Sequence, residues 1–384
     1  MPDFGRLDAF LDREGLDGYL LDADGDDADQ RYLSGYDAPD PFRTLYRPAG
    51  ISLLVRGLEY GRARKDSAAT DVRRPVDYDE GGSDDAGDFD ALAAFLAEFD
   101  VDAVAVPDRF PVGVADALRE RGVTVAVDDE GVVTAIRAVK TDRELDAIRA
   151  AQRATEAALS EGTRVLADAT FDDDRLVHDG EVLTAERLRA VIEIALLERG
   201  YVADETIVAG GAQGADPHDR GSGPLPANEP IVIDVFPRSK ATHYHADLTR
   251  TVVRGEASDA VRERFELTDR AREAGVAAVE PGVTGEAVHD AVCDVYEDAG
   301  YPTLRSDPAT QVGFIHSTGH GVGLDVHEQP RVGAGGGELE PGHVVTIEPG
   351  LYDPAVGGMR LEDLVVVTED GHENLTTSPI ELER

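Results

Sequence analysis

Apolar residues in the first third of the chain follow two patterns that alternate. Apolar side chains spaced three or four residues apart predict helices at residues 4–14, 90–99 and 112–121. Short runs of β-branched and aliphatic residues predict strands at residues 18–21, 51–55, 101–106 and 123–127. This alternation predicts one α/β unit over residues 1–135, in which the polar, glycine-rich segment 78–88 is a surface loop.

The pattern changes near residues 136–141, and the rest of the chain repeats one order of elements twice. A capping-box sequence at Thr141 and Glu144 opens a helix, and a second helix begins at Thr184. The acidic segment 168–181 between them predicts an inserted loop. Strands at 205–209 and within 231–251 complete the first half.

Helices opened by Ser258 and Thr284, followed by strands at 344–348 and 359–367, form the second half. The repeat predicts a duplication in residues 136–384, with two halves related by a pseudo-twofold axis around one curved antiparallel sheet.

Four acids interrupt these apolar strands. Asp234 and Asp247 lie in the first strand pair, and Glu348 and Glu362 occupy matching places in the second. A buried carboxylate without a partner costs several kcal/mol, so their convergence predicts a cation between them. Each acid alone has an ordinary explanation, such as an ion pair or a turn, and only the combination favours a metal site.

A nitrogen ligand is available in the glycine-rich segment 316–328, which contains His320. Four carboxylates and one imidazole suit Mn²⁺, Co²⁺, Fe²⁺ or Zn²⁺. Two such ions about 3.5–4 Å apart need bridging carboxylates, and Asp247 and Glu362 are placed to bridge.

The strongly negative charge of the chain limits which kinds of molecule it can bind. The formal net charge is −41, and the only lysines are Lys65, Lys140 and Lys240. The acids are spread along the chain, which favours a solvated surface adapted to high salt over a site for a basic partner. Nucleic-acid binding is excluded because it needs a basic face. We expect no membrane span and no secretion signal, and the single cysteine, Cys293, fits a cytoplasmic protein.

Four short groups of residues carry a resemblance to a known family. They are Asp234 with Asp247-Leu248-Thr249-Arg250-Thr251; His320 with His327-Glu328; Glu348-Pro349-Gly350; and Arg360-Leu361-Glu362-Asp363. Together they resemble the pita-bread metallopeptidases, and more narrowly the Xaa-Pro aminopeptidase and Xaa-Pro dipeptidase (prolidase) branch in a haloarchaeal-like form. The resemblance implies a creatinase-type N-terminal α/β domain over residues 1–135, which shapes access and dimer contacts. It also implies a catalytic pita-bread domain over residues 136–384.

The resemblance assigns roles to individual residues. It implies five metal ligands, of which the second and fifth bridge two ions: Asp234, Asp247, His320, Glu348 and Glu362. It implies catalytic roles for His218, His327, Glu348 and Arg360, and it places His218, His316 and His327 near the substrate.

The implied reaction is hydrolysis of the Xaa-Pro bond of small peptides by a hydroxide that bridges two metal ions. Mn²⁺ or Co²⁺ is expected, with Zn²⁺ or Fe²⁺ as alternatives, and a cytoplasmic homodimer is implied. Two other functions stay open: an aminopeptidase of other specificity, for example toward N-terminal methionine, and a non-peptidase relative that acts as a binding scaffold.

Two departures from the family pattern affect the interpretation. The interval between Asp234 and Asp247 is slightly long and contains His243 and His245, which are either pocket or turn residues. The loop 210–216 differs from the usual Ser-Gly-Pro-Asn sequence, which concerns substrate preference. The remaining histidines are expected in loops or on the surface: His178, His289, His343 and His372. Cys293 is expected in the core.

Overall fold

In the computed structural model, which describes residues 3–78 and 88–384, the chain divides into two units, Met1–Arg137 and Ala138–Arg384. The predicted surface loop at 78–88 lies, over residues 79–87, outside the described residues. The helices of the first unit are α1 Gly5–Glu14, α2 Ala28–Ser34, α3 Gly57–Asp66, α4 Asp88–Glu98, α5 Val112–Glu120 and α6 Val132–Ala138. Its strands are β1 Gly18–Ala23, β2 Phe42–Arg47, β3 Gly50–Leu54, β4 Asp71–Arg73, β5 Ala103–Pro107 and β6 Thr124–Asp128.

These six strands form one mixed sheet in the order β4-β3-β2-β1-β5-β6, with β1 antiparallel to β2 and parallel to β5. Side chains of a strand alternate between the two faces of its sheet. Tyr19 and Leu21 accordingly pack with Leu7 and Phe10 of α1, whereas Leu20 packs with helix α4 on the other face. All seven helices and strands that the sequence predicts in this unit are present, within two residues at each end.

The second unit contains helices α7 Asp142–Asp168, α8 Ala185–Glu198, α9 Asp259–Ala278 and α10 Gly285–Asp298. The strands of its first half are β7 Thr170–Asp172, β8 Arg175–His178, β9 Glu181–Val182, β10 Tyr201–Val202, β11 Ile207–Gly210, β12 Pro230–Val235, β13 Arg238–Ser239 and β14 Leu248–Val253. The strands of its second half are β15 Gly319–Gly321, β16 Glu328–Val332, β17 Val344–Ile347, β18 Gly350–Asp353, β19 Gly357–Arg360, β20 Asp363–Thr368 and β21 Gly371–Asn374.

Each half places two packed helices before an antiparallel sheet, as the repeat predicts. The order is β11-β12-β14 in the first half and β16-β15-β17-β20-β21 in the second. Asp234 lies in β12 opposite Thr249, and Asp247 immediately precedes β14. Glu348 immediately follows β17, and Glu362 immediately precedes β20. The acids therefore occupy the same end of both strand pairs.

Hydrogen bonds join the two halves beside these acids. The Glu362 amide donates to the Thr249 carbonyl at 3.1 Å. The Thr251 hydroxyl donates to the Arg360 carbonyl at 3.0 Å and accepts from the Arg360 amide at 2.9 Å. Strand β14 thus runs alongside residues 360–362, and the two strand pairs meet.

Two predictions for this unit are wrong in detail. The segment 168–181 is a three-stranded antiparallel sheet, β7-β8-β9, because Leu176 is fully buried and holds it against the core. The segment 359–367 is two strands, β19 and β20, separated by Leu361 and Glu362. Among the described residues, no helix combines the length and the apolar character needed to cross a membrane.

A buried ion pair fastens the start of helix α7. The capping box of Thr141 and Glu144 is formed, as the sequence predicts. The Lys140 ammonium contacts the Glu328 carboxylate, and their side chains are 1% and 2% exposed. The Lys140 amide also donates to the Gly342 carbonyl at 2.9 Å. Because Glu328 opens strand β16, this pair holds the chain directly after His327.

Candidate metal centre

Three carboxylates from both halves meet inside the second unit. One oxygen from each of Asp234, Asp247 and Glu362 lies within 4.8 Å of the others. The three residues are 8%, 5% and 1% exposed, respectively. We call these three, together with Glu348, the acid cluster.

Glu348 and His320 stand beside these carboxylates. His320 Nε2 lies 3.3 Å from Glu348 Oε1 and 3.8 Å from Asp247 Oδ2. The Thr346 hydroxyl accepts from the His320 amide at 3.0 Å and donates to Glu348 Oε1 at 3.2 Å. The structure therefore brings together all five residues that the resemblance implies as metal ligands.

A glycine allows strand β15 to lie this close to β17. A Cβ at Gly319 would stand 1.9 Å from the Thr346 carbonyl oxygen. Only glycine fits at this distance, since any larger residue would push the two backbones apart. The glycine-rich sequence around His320 is thus needed to bring the imidazole to Glu348.

Arg360 connects the acid cluster to the loop that carries His218. Its guanidinium donates to Asp234 Oδ2 at 2.6 Å and to the Pro217 carbonyl at 3.2 Å. It also reaches the hydroxyls of Thr249 and Tyr352, both at 3.2 Å. Arg360 is 4% exposed, so these contacts account for a buried cation.

Burial and mutual repulsion govern protonation of the cluster. Burial, and then the neighbouring acids, raise the pKa of both Asp247 and Glu362 well above its usual range. Burial also raises the pKa of Asp234, against the attraction of Arg360. Burial works in the same direction on Glu348, but the hydrogen bond and charge of His320 outweigh it and lower the pKa of Glu348 to about 2.

Two buried oxygens in the cluster have no hydrogen bond. Asp234 Oδ2 is held by Arg360 and Glu362 Oε2 by the Thr249 hydroxyl at 2.8 Å, whereas Asp234 Oδ1 and Glu362 Oε1 have no partner. Buried acceptors without a partner are costly, and a divalent cation would satisfy them. The donor set of carboxylate oxygens and one imidazole fits such an ion.

A cavity of about 350 Å³ opens onto the cluster and onto further residues that the sequence singled out. His218, His327 and Arg360 line it together with Asp234, Asp247, His320 and Glu348. The ring of His327 stands edge-on to that of His320, with centroids 4.2 Å apart. Burial, and then the charge of His320, lower the pKa of His327. The rest of the wall is formed by Glu205, Ile207, Arg220, Phe236 and Val326.

Two predicted site residues, Glu362 and His316, do not line this cavity; Glu362 still belongs to the acid cluster, whereas His316 lies apart from it. His316 Nε2 lies 2.9 Å from the Tyr352 hydroxyl and its Nδ1 lies 2.7 Å from the Ser317 carbonyl. His316 instead borders a separate cavity of about 210 Å³. Burial lowers the pKa of His316 to about 4, so it is neutral at pH 7. Its expected contact with substrate therefore remains a prediction, and its observed contact is with Tyr352.

Sequence reasoning assigned no role to Tyr352 or Thr249, although the hydroxyls of both touch Arg360. Their hydroxyls stand on strands at the cluster, but their sequence neighbours are those of ordinary strand residues. Only a position within a few residues of a predicted ligand could have drawn attention to them.

One of the histidines expected in loops or on the surface, His289, is instead buried within helix α10. His289 bonds to the Thr318 hydroxyl at 2.8 Å and lies 3.5 Å from the Cys293 sulfur, on the inner face of helix α10. His343 lies in the loop just before strand β17, as expected, although it is only 5% exposed. Cys293 is fully buried in the core, as expected. The inward face of α10 is therefore more polar than its apolar spacing predicts.

The other histidines lie away from the cavity wall. His178 is partly buried in β8 and His372 is exposed in β21. His243 adopts a φ of 64° in the turn after β13 and contacts Arg238. Burial lowers the pKa of His245 to about 4. The extra length between Asp234 and Asp247 accommodates this turn.

The two-unit architecture and the acid cluster define a class of protein. Residues 146–369 match metallopeptidase family M24, and residues 4–139 match the creatinase/prolidase N-terminal domain. The chain belongs to metallopeptidase family M24.

Individual relatives extend over most of the chain. It is 35% identical over 337 residues to a probable dipeptidase PepE of Mycobacterium tuberculosis, covering 86% of this chain and 82% of the relative. The prolidase structure from Pyrococcus horikoshii superposes with a TM-score of 0.81 at 25% identity over 98% of both chains. The X-Pro aminopeptidase structure from Thermotoga maritima gives a TM-score of 0.79 at 26% identity, over 97% of this chain and 99% of that one.

These similarities confirm the predicted α/β fold class, with a creatinase-type N-terminal domain before a pita-bread domain. They also confirm that the protein is a metal-dependent peptide hydrolase. Membership of a metallopeptidase family, together with the acid cluster, supports divalent metal ions as its cofactor.

Proposed function

We propose that the protein hydrolyses the peptide bond before proline in short peptides. The observation that carries this proposal is the acid cluster with His320, which opens onto a cavity of about 350 Å³. Similarity to a prolidase and to an X-Pro aminopeptidase over nearly the whole chain supports the choice of substrate.

Five residues would hold the cofactor: Asp234, Asp247, His320, Glu348 and Glu362. We assign two divalent ions to them, Mn²⁺ or Co²⁺ before Zn²⁺ or Fe²⁺, with Asp247 and Glu362 as the bridging ligands. Their oxygens approach within 4.8 Å of each other, which supports a shared ion. Divalent ions bound there supply Lewis acidity toward the scissile carbonyl and a nucleophilic water at neutral pH.

Two residues of the cavity, Glu348 and His327, would assist the bond cleavage. Glu348 stays ionised despite its burial because the hydrogen bond and charge of His320 lower its pKa. We assign this carboxylate to accept the proton that the attacking water loses and to pass it to the leaving amine. His327 is neutral near pH 7 because burial lowers its pKa, and its N–H donates to the carbonyl oxygen as negative charge develops there.

Arg360 orients two parts of the site. It holds Asp234 through one oxygen and holds the carbonyl of Pro217, which precedes His218. His218 is thereby placed on the wall of the cavity, where we assign it to the region of the scissile bond.

The shape of the wall suits proline. Ile207, Phe236 and Val326 form its apolar part. A pyrrolidine ring buries apolar surface against such a wall. Proline also has no backbone N–H in the scissile bond, so the wall does not have to supply an acceptor for one.

A substrate series tests the proposal. The metal-loaded protein, assayed in molar KCl, should cleave Ala-Pro and lose the activity to a chelator, whereas Ala-Ala and Met-Ala should be poor substrates. Faster cleavage of Met-Ala would establish the methionine-type alternative. A protein that binds no divalent ion by elemental analysis would favour the scaffold alternative.

The surroundings in which the enzyme works follow from its charge and composition. We infer a salt-adapted, cytoplasmic homodimer, in which the N-terminal domain shapes access to the site. The net charge of −41 supports adaptation to high salt, because counterions relieve self-repulsion. The family resemblance supports the dimer. Light scattering tests the dimer, and thermal melting in dilute and in molar KCl tests the salt adaptation.

A further inference from the structure

A further cavity, of about 500 Å³, lies in the second unit apart from the metal centre. Residues of helix α7, of strand β14 and of the segment 377–384 line it, and we call it the α7 cavity. None of the five proposed metal ligands is among its lining residues. Its volume falls within the range of about 300–1,000 Å³ that is typical of sites for small molecules. The α7 cavity therefore has the size of a binding site of its own.

The charge of the α7 cavity is opposite in sign to that of the whole chain. Three arginines line the cavity, Arg153, Arg250 and Arg384, against two acids, Glu156 and Glu381. The chain as a whole has 37 basic and 78 acidic residues. A cavity with an excess of positive charge attracts anions. The α7 cavity therefore favours an anion, in a protein whose net charge repels anions.

Two of the three arginines have N–H groups that a ligand can use. The Arg153 side chain is exposed and has no hydrogen-bond or ion-pair partner among the described residues. Arg384 contacts Glu381 through one nitrogen, but its buried Nε has no partner. A buried donor without an acceptor is costly, so this Nε indicates a missing acceptor. The hydroxyls of Ser160 and Ser378 add further donors to the wall.

The two acids of the α7 cavity already have partners. Glu156 accepts from the Thr377 hydroxyl and from the Ser378 amide, both at 2.8 Å. Glu381 contacts Arg384, and their side chains are 56% and 21% exposed. A largely exposed ion pair contributes little to stability, because water screens it. An anion brought by a ligand can therefore take the place of Glu381 at a small cost.

The arrangement of the donors favours a phosphate group over a carboxylate. Arg153 and Ser160 belong to helix α7, whereas Ser378 and Arg384 belong to the segment 377–384, so donors approach from two sides. One arginine satisfies a planar carboxylate through two parallel hydrogen bonds. A phosphate carries three acceptor oxygens and about −1.5 to −2 charges near neutral pH, so it can use donors from both sides. Ala157 gives the wall an apolar part against which a carbon skeleton can pack.

Arg250 connects the α7 cavity to the acid cluster. Arg250 is 4% exposed, and all five of its N–H groups donate to acceptors within the protein. Two of these acceptors are the Ser378 carbonyl, at 2.8 Å, and the Glu362 carbonyl. The Thr249 hydroxyl, one residue before Arg250, donates to Glu362 Oε2 at 2.8 Å. A ligand that fixes Ser378 therefore also steadies the guanidinium that holds Glu362.

We propose that the α7 cavity binds a small phosphate monoester, and that the bound anion strengthens divalent-metal binding at the acid cluster. Arg153 and Arg384 contact the phosphate, and Arg250 transmits the effect to Glu362. Because coupling between two sites is reciprocal, the metal strengthens binding of the phosphate by the same factor. The site goes beyond the proposed function, since it does not depend on which peptide is cleaved.

Calorimetric titration of the metal-free protein tests the site, with glycerol phosphate and inorganic phosphate as probes, in the lowest KCl concentration at which the protein stays folded. Glycerol phosphate should bind more tightly than inorganic phosphate, because its carbon skeleton packs against the apolar part of the wall. Arg153→Gln should weaken binding of glycerol phosphate by about ten- to hundredfold, which is the usual effect of losing a hydrogen bond to a charged group.

Arg164→Gln is the matched control. Arg164 is also exposed on helix α7, but it does not line the cavity. Its replacement removes the same charge from the same helix, so it should leave the Kd for glycerol phosphate within about twofold of wild type, a difference too small to represent a lost contact.

Titration with Mn²⁺ tests the coupling. Glycerol phosphate, at a concentration that just saturates the wild-type protein, should lower the Kd for Mn²⁺ by about fivefold or more. The same concentration should have little effect on Arg153→Gln, which controls for complexes of Mn²⁺ with the phosphate in solution. At saturating Mn²⁺ and without phosphate, Arg153→Gln should cleave Ala-Pro at the wild-type rate.

Three results would each overturn part or all of the inference. A metal-free protein that binds neither probe, or an Arg153→Gln variant that binds glycerol phosphate as tightly as Arg164→Gln does, would remove the site. Equal affinities for the two probes would exclude a monoester as the ligand. A Kd for Mn²⁺ that glycerol phosphate leaves unchanged would exclude the link through Arg250. The binding measurements use no peptide, so the Ala-Pro assay decides the proposed function separately.

Discussion

Replacing Asp247 by asparagine should stabilise the metal-free protein. Asparagine keeps the shape of the side chain and removes one charge from the acid cluster. Oxygens of Asp234, Asp247 and Glu362 lie within 4.8 Å of one another, and two full charges at that separation repel by about 3.5 kcal/mol at an effective dielectric constant of about 20. The raised pKa values of Asp247 and Glu362 show that bound protons relieve part of this repulsion. We therefore expect a gain of about 1–3 kcal/mol in the free energy of unfolding at pH 7.

With metal bound, the wild-type protein should become more stable than the Asp247→Asn variant. A ligand present at 100 times its Kd stabilises the folded state by about 2.7 kcal/mol, and the wild-type protein should gain this from Mn²⁺. The Asp247→Asn variant lacks a carboxylate that we propose as a bridging ligand, so it should gain little and should retain almost no peptidase activity. Urea unfolding with chelator and with Mn²⁺ measures both effects.

Asp363→Asn is the control, and it should change the free energy of unfolding in the opposite direction to Asp247→Asn. Asp363 is as deeply buried as Asp247, but Arg250 lies 3.1 Å from it and Arg272 lies 2.5 Å from it. Losing this compensated charge should destabilise the protein with or without metal. The reasoning fails if Asp247→Asn is less stable than wild type in chelator. It also fails if the variant gains as much from Mn²⁺ as the wild type.

Three further predictions concern the frame of the site. Lys140→Met and Glu328→Gln should each lower the free energy of unfolding by about 3–5 kcal/mol, measured in urea, because each leaves one buried charge without its partner. The double variant Lys140→Met with Glu328→Leu should be close to wild type, because it removes both charges. Equal losses for the single and double variants would contradict this. The metal-free protein should lose stability as the pH rises above about 4, because the raised pKa values of its acid cluster let the folded state hold protons that the unfolded chain has already released. Mn²⁺ affinity, followed by calorimetry, should rise over the same range, and a flat profile of both would contradict the raised pKa values. Gly319→Ala should lower the melting temperature and weaken Mn²⁺ binding, because its Cβ would stand 1.9 Å from a backbone oxygen, whereas Gly337→Ala, with no atom within 4 Å of its Cβ, should do neither.

Local signals accounted for most of the architecture and for the acid cluster. The capping box at Thr141 and the caps at Thr184, Ser258 and Thr284 fixed the starts of four helices, because capping depends on residues close in sequence. The acids of the cluster stood out because charge is rare in a buried strand. Their convergence depended on recognising that the same order of elements occurs twice.

Features that depend on distant residues were not predicted. Strand β2 carries Arg43 into the sheet, where it is accepted because Asp22 of strand β1 lies 3.1 Å away. His289 can be buried because it forms a hydrogen bond with Thr318, a residue that lies 29 positions further along the chain. Such pairs are set by the tertiary structure, and no local pattern of hydrophobic residues indicates them.

Because the proposed metal ligands come from both halves of the second unit, their order along the chain determines when the enzyme can acquire its metal. Asp234 and Asp247 leave the ribosome well before His320 and Glu348, and Glu362 follows last of all. The backbone bond from Glu362 to Thr249 closes the cluster only after that point. A growing chain therefore carries only two of the five proposed ligands, and metal loading should follow the synthesis of both halves. A truncated product that stops before Glu362 would lack one of the proposed ligands and should be inert as a peptidase.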